Sequence, residues 1–318
     1  MTSQDKASRE RRLAWAALGV VYVVWGATYV GIRAVVAHMP PFVAASMRFL
    51  FAGGTLLAWS LARGTWKRPH RAQLVNALVV GLLLMGVGNG LIMWAQKSVP
   101  SGITALLVAT FPLWLTLIEG IASRGASLRA PVVTGVIVGL LGVGLIAASR
   151  GDIGFGAQGG TPLLPLLAIQ SASLCWTFGY IKARAFQDRL PLVMASGLEM
   201  VAGGALLMLQ SLLYGEDWGR VASAPLSAWG GVLFLAVFGS IIGFTAFAFT
   251  RHVLPSHIVG TYAYVNPLVA VVLGRIVYGE VLAPRALLGG ALILASVFIS
   301  TIPGRAQPPA EAAQGEDA

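Results

Sequence analysis

The sequence predicts an all-α integral membrane protein: ten transmembrane helices arranged as two inverted five-helix repeats. Three observations predict it. Hydrophobic residues make up 57% of the 318 residues and charged residues only 11%, whereas a soluble domain carries roughly 25% charged residues. Between residues 13 and 301, apolar runs of about bilayer length follow one another with short breaks. The first half of the chain returns, weakly, in the second.

The elements follow in order from apolar runs bounded by charge, proline or glycine. The first run, 13–36, follows the basic stretch from Lys6 to Arg12 and exceeds a signal-peptide core of roughly 7–15 residues, so it is expected to stay as an uncleaved first helix. Residues 1–12 form a basic cytoplasmic segment before it. The second run, 41–62, opens at Pro41 and carries Arg48. The third, 72–96, contains Gly86-Val87-Gly88-Asn89-Gly90, which sits inside an apolar helix with no preceding strand and is therefore not a phosphate loop. The fourth, 102–122, is interrupted at Pro112. The fifth, 131–149, bears Gly135, Gly139, Gly142 and Gly144, a small-residue stripe suited to close packing within the monomer or between two copies. The second half supplies 162–183, 191–214 with Glu199 inside it, 227–251, 257–278 interrupted at Pro267, and 284–302. Residues 304–318 are rich in Pro, Ala, Gln and acids and are expected to be a disordered cytoplasmic tail.

The repeat can be read residue by residue. Pro41-Phe42-Val43-Ala44-Ala45-Ser46 aligns with Pro191-Leu192-Val193-Met194-Ala195-Ser196, and Gly53-Gly54 with Gly203-Gly204. Trp25 and Tyr29 match Trp176 and Tyr180. Val99-Pro100-Ser101 matches Leu254-Pro255-Ser256, and Phe111-Pro112-Leu113 matches Asn266-Pro267-Leu268. Residues 13–150 and 151–303 are the two units, with an odd number of crossings in each, so the second enters the membrane from the opposite side. Loop charge agrees: Arg63 to Arg71 is strongly basic, whereas Glu216 to Arg220 is net acidic. Fifteen of the 22 Lys and Arg fall on the side of the N-terminus and six on the other, with Arg48 inside the membrane. This bias places both termini in the cytoplasm.

Several functions are excluded by composition. The net charge of +10 sits between apolar runs, where it serves orientation and contact with anionic lipid rather than nucleic acid. The single cysteine, Cys175, permits neither a disulfide framework nor a thiolate metal site. The four histidines lack ligand spacing, and no nucleophile–base pair stands out. No metal, cofactor or catalytic residue is expected, and an embedded enzyme would need ionisable residues clustered at one interface.

A doubled membrane unit implies a solute carrier, whose site lies near the bilayer midplane between repeats, with a few polar groups in an apolar wall. Residues three or four apart share a helix face, which groups Tyr22, Trp25 and Tyr29 on the first helix and Ser173, Trp176 and Tyr180 on the sixth. Met85, Asn89 and Met93 share a face on the third, and Tyr262 and Asn266 on the ninth. Trp25, Tyr29, Asn89, Met93, Trp176, Tyr180, Tyr262 and Asn266 are thus the candidate substrate contacts. Interfacial belt residues are the competing reading for the aromatic members, Tyr29 and Tyr180 above all. Pro112 and Pro267 are candidate helix breaks for gating, each withholding a backbone donor and freeing a carbonyl; ordinary packing kinks fit them as well. Arg48 and Glu199 are the clear intramembrane charges, placed either as a pair or as separate coupling groups, with snorkelling to the interface an equal account of Arg48. Glu119 and Glu280, near span ends, fit capping or loop orientation.

These residues resemble the drug/metabolite transporter superfamily, specifically its EamA-type ten-helix exporters. The resemblance rests on Val24-Trp25-Gly26, on Pro41 followed by Arg48-Phe49, on Pro112 and Pro267, and on Gly279-Glu280 before a glycine-rich last helix. Gly125 stands where Glu280 stands in the second half, a departure from the pattern. The resemblance implies an inner-membrane carrier working by alternating access through a central cavity, in a family with an amino-acid-exporting branch. The expected activity is export of small metabolites, amino acids foremost, including apolar or aromatic ones. Multidrug or hydrophobic-cation efflux and sugar or nucleobase permeation are the alternatives. The expected partners are a small-molecule substrate and the lipid bilayer, without nucleic acid, in a monomer or homodimer.

Overall fold

The computed structural model describes residues 3–122, 130–149, 163–186, 190–254 and 256–301. The tail 304–318, the unit junction at residue 150, Gly125 and the cations Arg124, Arg129, Arg150, Arg189 and Arg305 lie outside them. Every regular element among the described residues is helical. The chain runs α1 (Ser3–Val36), α2 (Pro41–Ala62), α3 (Arg71–Gly81), π1 (Leu82–Asn89), α4 (Gly90–Ala95), α5 (Ser101–Val108), α6 (Phe111–Ala122) and α7 (Ala130–Ala148). It continues with α8 (Leu163–Ala185), α9 (Leu192–Leu213), the short α10 (Gly219–Ala222), α11 (Leu226–Phe234), π2 (Leu235–Ile242), α12 (Gly243–Val253), α13 (Ser256–Val259), α14 (Tyr262–Tyr278) and α15 (Pro284–Thr301).

Eight helices or continuous helix series are long and apolar enough to cross a membrane, and Tyr262–Tyr278 and Pro284–Ser300 are shorter apolar helices. Large apolar side chains such as Leu164, Leu213, Leu226 and Phe298 are exposed on the outer surface, as a lipid-facing wall requires.

Glycine and serine set the closest helix contacts. On α7, a Cβ at Gly135 would lie 2.7 Å from the Ser296 carbonyl and one at Gly142 would lie 2.6 Å from the Gly289 carbonyl of α15. The stripe therefore packs inside the monomer. Gly144 is not part of that contact and faces open space. Another close pair is α2 on α9, where a Cβ at Gly53 would lie 2.8 Å from the Gly197 carbonyl and the Ser46 hydroxyl donates to the Gly204 carbonyl at 2.8 Å.

Two helices are broken at places other than the prolines. The fourth apolar run breaks at Ala109 and Thr110, and Pro112 is the second residue of the new helix α6. A first-turn N–H has no intrahelical partner in any case, so Pro112 continues α6 without loss. The ninth run breaks at Gly260 and Thr261, six residues before Pro267 at the nearer edge. The Tyr22 hydroxyl and Thr261 Oγ1 hydrogen-bond across this break. Pro267 lies inside α14, where it withholds the N–H that the Ala263 carbonyl would otherwise accept.

Candidate solute site

The site is built where the two halves meet, and glycines decide its shape. At the junction of π2 and α12, Gly243 lets the N–H edge of the Trp25 indole approach the helix closely, since a Cβ there would sit 2.4 Å from Trp25 Nε1. In π1, Gly88 does the same for Trp176, with a Cβ 2.5 Å from its Cδ1. Each tryptophan therefore rests on a glycine of the other half. Around them the rings close up: Trp25 lies 5.2 Å from Phe244, 5.5 Å from Tyr262 and 6.4 Å from Trp176, centroid to centroid.

Two neighbouring spaces share these rings. The inner cavity, about 90 Å³, is walled by Trp25, Tyr29, Arg48, Asn89, Trp176 and Asn266 among others. The vestibule, about 420 Å³, runs to the end where α3 and α9 begin and α8 ends, and its wall includes Asn76, Tyr180 and Glu199. Phe111, Trp176, Phe244 and Tyr262 line both spaces and form the constriction between them.

Of the residues singled out from sequence, Trp25, Tyr29, Arg48, Asn89, Trp176, Tyr262, Asn266 and Pro267 meet at the inner cavity. Tyr180 stands in the vestibule, its ring 5.7 Å from Phe111. Met93 is fully buried in a packing cluster with Phe49, Met85 and Met200 and lines neither space; one turn beyond Asn89 it is Ile92 that faces the cavity. Pro112 lines neither space. Arg48 and Glu199 are not a pair. Arg48 is 3% exposed, donates from Nε to the Ser240 hydroxyl at 2.9 Å and lies over the Phe49 ring. Glu199 faces the vestibule.

The polar groups are unequally satisfied. Trp25 Nε1 donates to the Gly239 carbonyl at 3.2 Å. The matching carbonyl in the first half belongs to Leu84, and it accepts the Asn89 amide at 3.0 Å instead. Trp176 Nε1 and Arg48 Nη1 are left buried without a hydrogen-bond partner. The Asn266 amide nitrogen is placed to donate to the Tyr262 and Tyr22 carbonyls at 3.2 and 3.1 Å, which ties α14 to α1.

At the other end, carboxylates fasten helix N-termini. Glu216 accepts the backbone N–H groups of Phe42 at 2.9 Å and Val43 at 2.8 Å. Gly279, at φ 64°, turns the chain back after α14, a conformation open to glycine. That turn aims Glu280 at α5, where it accepts the Ser101 N–H at 3.0 Å, the Ser101 hydroxyl at 2.9 Å and the Gly102 N–H at 3.2 Å.

Phe111, Phe244, Thr28 and Ser240 were not anticipated. The repeat carried a signal for two of them: the offset that sets Pro112 on Pro267 also sets Phe111 opposite Asn266 and Phe244 opposite Asn89.

Residues 13–148 and 163–302 each match the EamA-like transporter family. The inner membrane transporter YedA of Escherichia coli (strain K12) is 38% identical over 293 residues, covering 91% of this chain and 90% of that protein. A protein of Streptantibioticus cattleyicolor named "Probable terminal-alkyne amino-acid exporter" is 25% identical over 292 residues, covering 91% of this chain and 93% of its own. A solved structure titled "Crystal structure of protein" superposes with a TM-score of 0.61 at 21% identity, covering 91% of this chain and 96% of that one, a likeness of fold. The two-fold match over nearly the whole length, together with the apolar helices and the cavity between them, makes this chain a member of the EamA-like transporter family, a membrane transporter of small molecules within the drug/metabolite transporter superfamily.

Proposed function

We propose that the protein exports small metabolites, most of all amino acids with apolar or aromatic side chains, by secondary active transport across the bacterial inner membrane. Residues 13–150 and 151–303 are two inverted five-helix repeats in this reading, ten crossings with both termini cytoplasmic, and the cavity between them alternates access. The observation that carries it is the reciprocal seating of Trp25 on Gly243 and Trp176 on Gly88. Matched aromatic residues from the two halves thus wall one cavity, and the polar groups of Arg48, Asn89 and Asn266 stand within the same wall. Broad aromatic faces give weakly directional contact and a tolerant substrate range, while buried polar groups orient a head group. The name of the Streptantibioticus relative points to the same substrate class.

The decisive experiment is counterflow of a labelled amino-acid panel into liposomes holding the purified protein, with and without a pH gradient. Exchange of phenylalanine, leucine or related solutes is the expected result, and absence of exchange for every amino acid removes this substrate class. Single-cysteine labelling of the two ends from opposite faces tests the even number of crossings.

A further inference from the structure

Among the described residues that line the inner cavity, Arg48 is the only charged one. It is 3% exposed and its Nη1 has no partner. Its hydrogen bond runs from Nε to a neutral hydroxyl, that of Ser240, and its guanidinium carbon lies over the Phe49 ring, so no carboxylate among the described residues compensates it. A guanidinium held out of water without an anion is a costly arrangement, and the donors left over are of the kind that bind a carboxylate tightly. The second unsatisfied group in the same wall, Trp176 Nε1, is also a donor. The Leu84 carbonyl, which corresponds to the one Trp25 uses, accepts the Asn89 amide. The cavity thus offers spare donors and a positive charge.

We infer that Arg48 anchors the carboxylate of the transported solute, so that the site selects an apolar or aromatic body bearing one anionic group and does not require its ammonium group. The inference rests on the transport reading above and narrows its substrate class. In the inner cavity an ammonium group meets no described carboxylate, whereas a carboxylate meets Arg48 and, from its own or a neighbouring acceptor, the Trp176 N–H. N-acylated amino acids and aryl carboxylates then fall within the substrate range, and cationic amphiphiles fall outside it.

The test uses the full chain in nanodiscs and three ligands of one shape: phenylalanine, N-acetylphenylalanine and phenylalaninamide. Binding is read by calorimetry and by tryptophan fluorescence, and exchange by counterflow of labelled phenylalanine in liposomes. Phenylalanine and N-acetylphenylalanine are expected to bind within about threefold of each other and phenylalaninamide at least about tenfold more weakly, the loss of a charge-assisted contact. Arg48→Gln abolishes this ranking, whereas Arg48→Lys, which keeps the charge, retains part of it; Trp176→Phe weakens the two carboxylates alone. Equal binding of phenylalaninamide to the unaltered protein overturns the anchor without need of any variant, as does an unchanged ranking in Arg48→Gln. Counterflow without discrimination leaves the transport reading standing and removes the anchor. Discrimination without counterflow does the reverse. Failure of all three ligands to bind removes both.

Discussion

Arg33 and Glu280 form a 2.9 Å ion pair with the carboxylate 5% exposed, and the same carboxylate caps the N-terminus of α5. One side chain after α14 therefore holds α1 and α5 together at the end away from the vestibule. Charge-assisted bonds of this kind are roughly twice as strong as neutral ones.

Glu280→Gln keeps the shape of this joint and removes its charge. A loss of about 1–3 kcal/mol is expected, read as a lower thermal midpoint of the purified protein. A cysteine at Ala105, which lines the inner cavity, in a Cys175→Ser background should also react faster with an impermeant maleimide applied from the α5 side. An unaltered alkylation rate would show that this joint does not hold that end shut.

Gly88→Ala and Gly243→Ala each drive a methyl group into an indole, at 2.5 Å for Trp176 Cδ1 and 2.4 Å for Trp25 Nε1. Overpacking of this kind costs about 1–3 kcal/mol, and because the displaced ring walls the cavity, counterflow should fall by more than about tenfold. Gly54→Ala and Gly230→Ala, where a methyl meets nothing within 4 Å, should leave counterflow unchanged and stabilise the helix by up to about 1 kcal/mol. Equal behaviour of the two sets would refute the seating role of Gly88 and Gly243.

Asn266→Ala should reduce counterflow and also cost about 1–3 kcal/mol, because the Tyr22 and Tyr262 carbonyls lose the donor that joins α14 to α1. The check is paired: transport rate against chemical or thermal denaturation of the same preparation. Unchanged transport would remove Asn266 from the site.

Glu199 is the charged residue among the described ones that line the vestibule. In a proton-coupled cycle, Glu199→Gln abolishes the effect of a pH gradient on exchange while leaving exchange at equal pH intact. A gradient effect that survives the substitution assigns Glu199 to structure.

Much of this is legible in the sequence. Apolar run length marked the helices because a bilayer dictates it, and the face shared by Trp25 and Tyr29 led to the cavity because three-to-four spacing defines a helix face. The same argument fails at Met93: three and four residues beyond Asn89 stand Ile92 and Met93, and it is Ile92 that lines the cavity while Met93 is taken up by helix packing, a choice that spacing alone does not make. The prolines were visible and their consequences were not, since whether a proline interrupts a helix depends on where the preceding turn ends. Phe111 and Phe244 are harder to read because each stands opposite an asparagine in the other half, so that position in the repeat and not residue type carries their signal. Arg48 stood out as a buried charge, but its separation from Glu199 is a property of three-dimensional packing that neighbouring positions in an alignment of halves do not contain.

The carboxylate fastenings at Glu216 and Glu280 give the molecule unequal mouths. Among the described residues, the vestibule end has the half-exposed pair of Arg184 and Glu119, a solvated contact worth little. In the alternating-access reading proposed above, a carrier latched on one face and loose on the other idles open toward the loose face. It meets cargo there first and spends its slowest moment undoing the latch. Detailed balance still leaves the final distribution of cargo to the gradients across the lipid; the latch governs only the tempo and the resting posture of the empty protein.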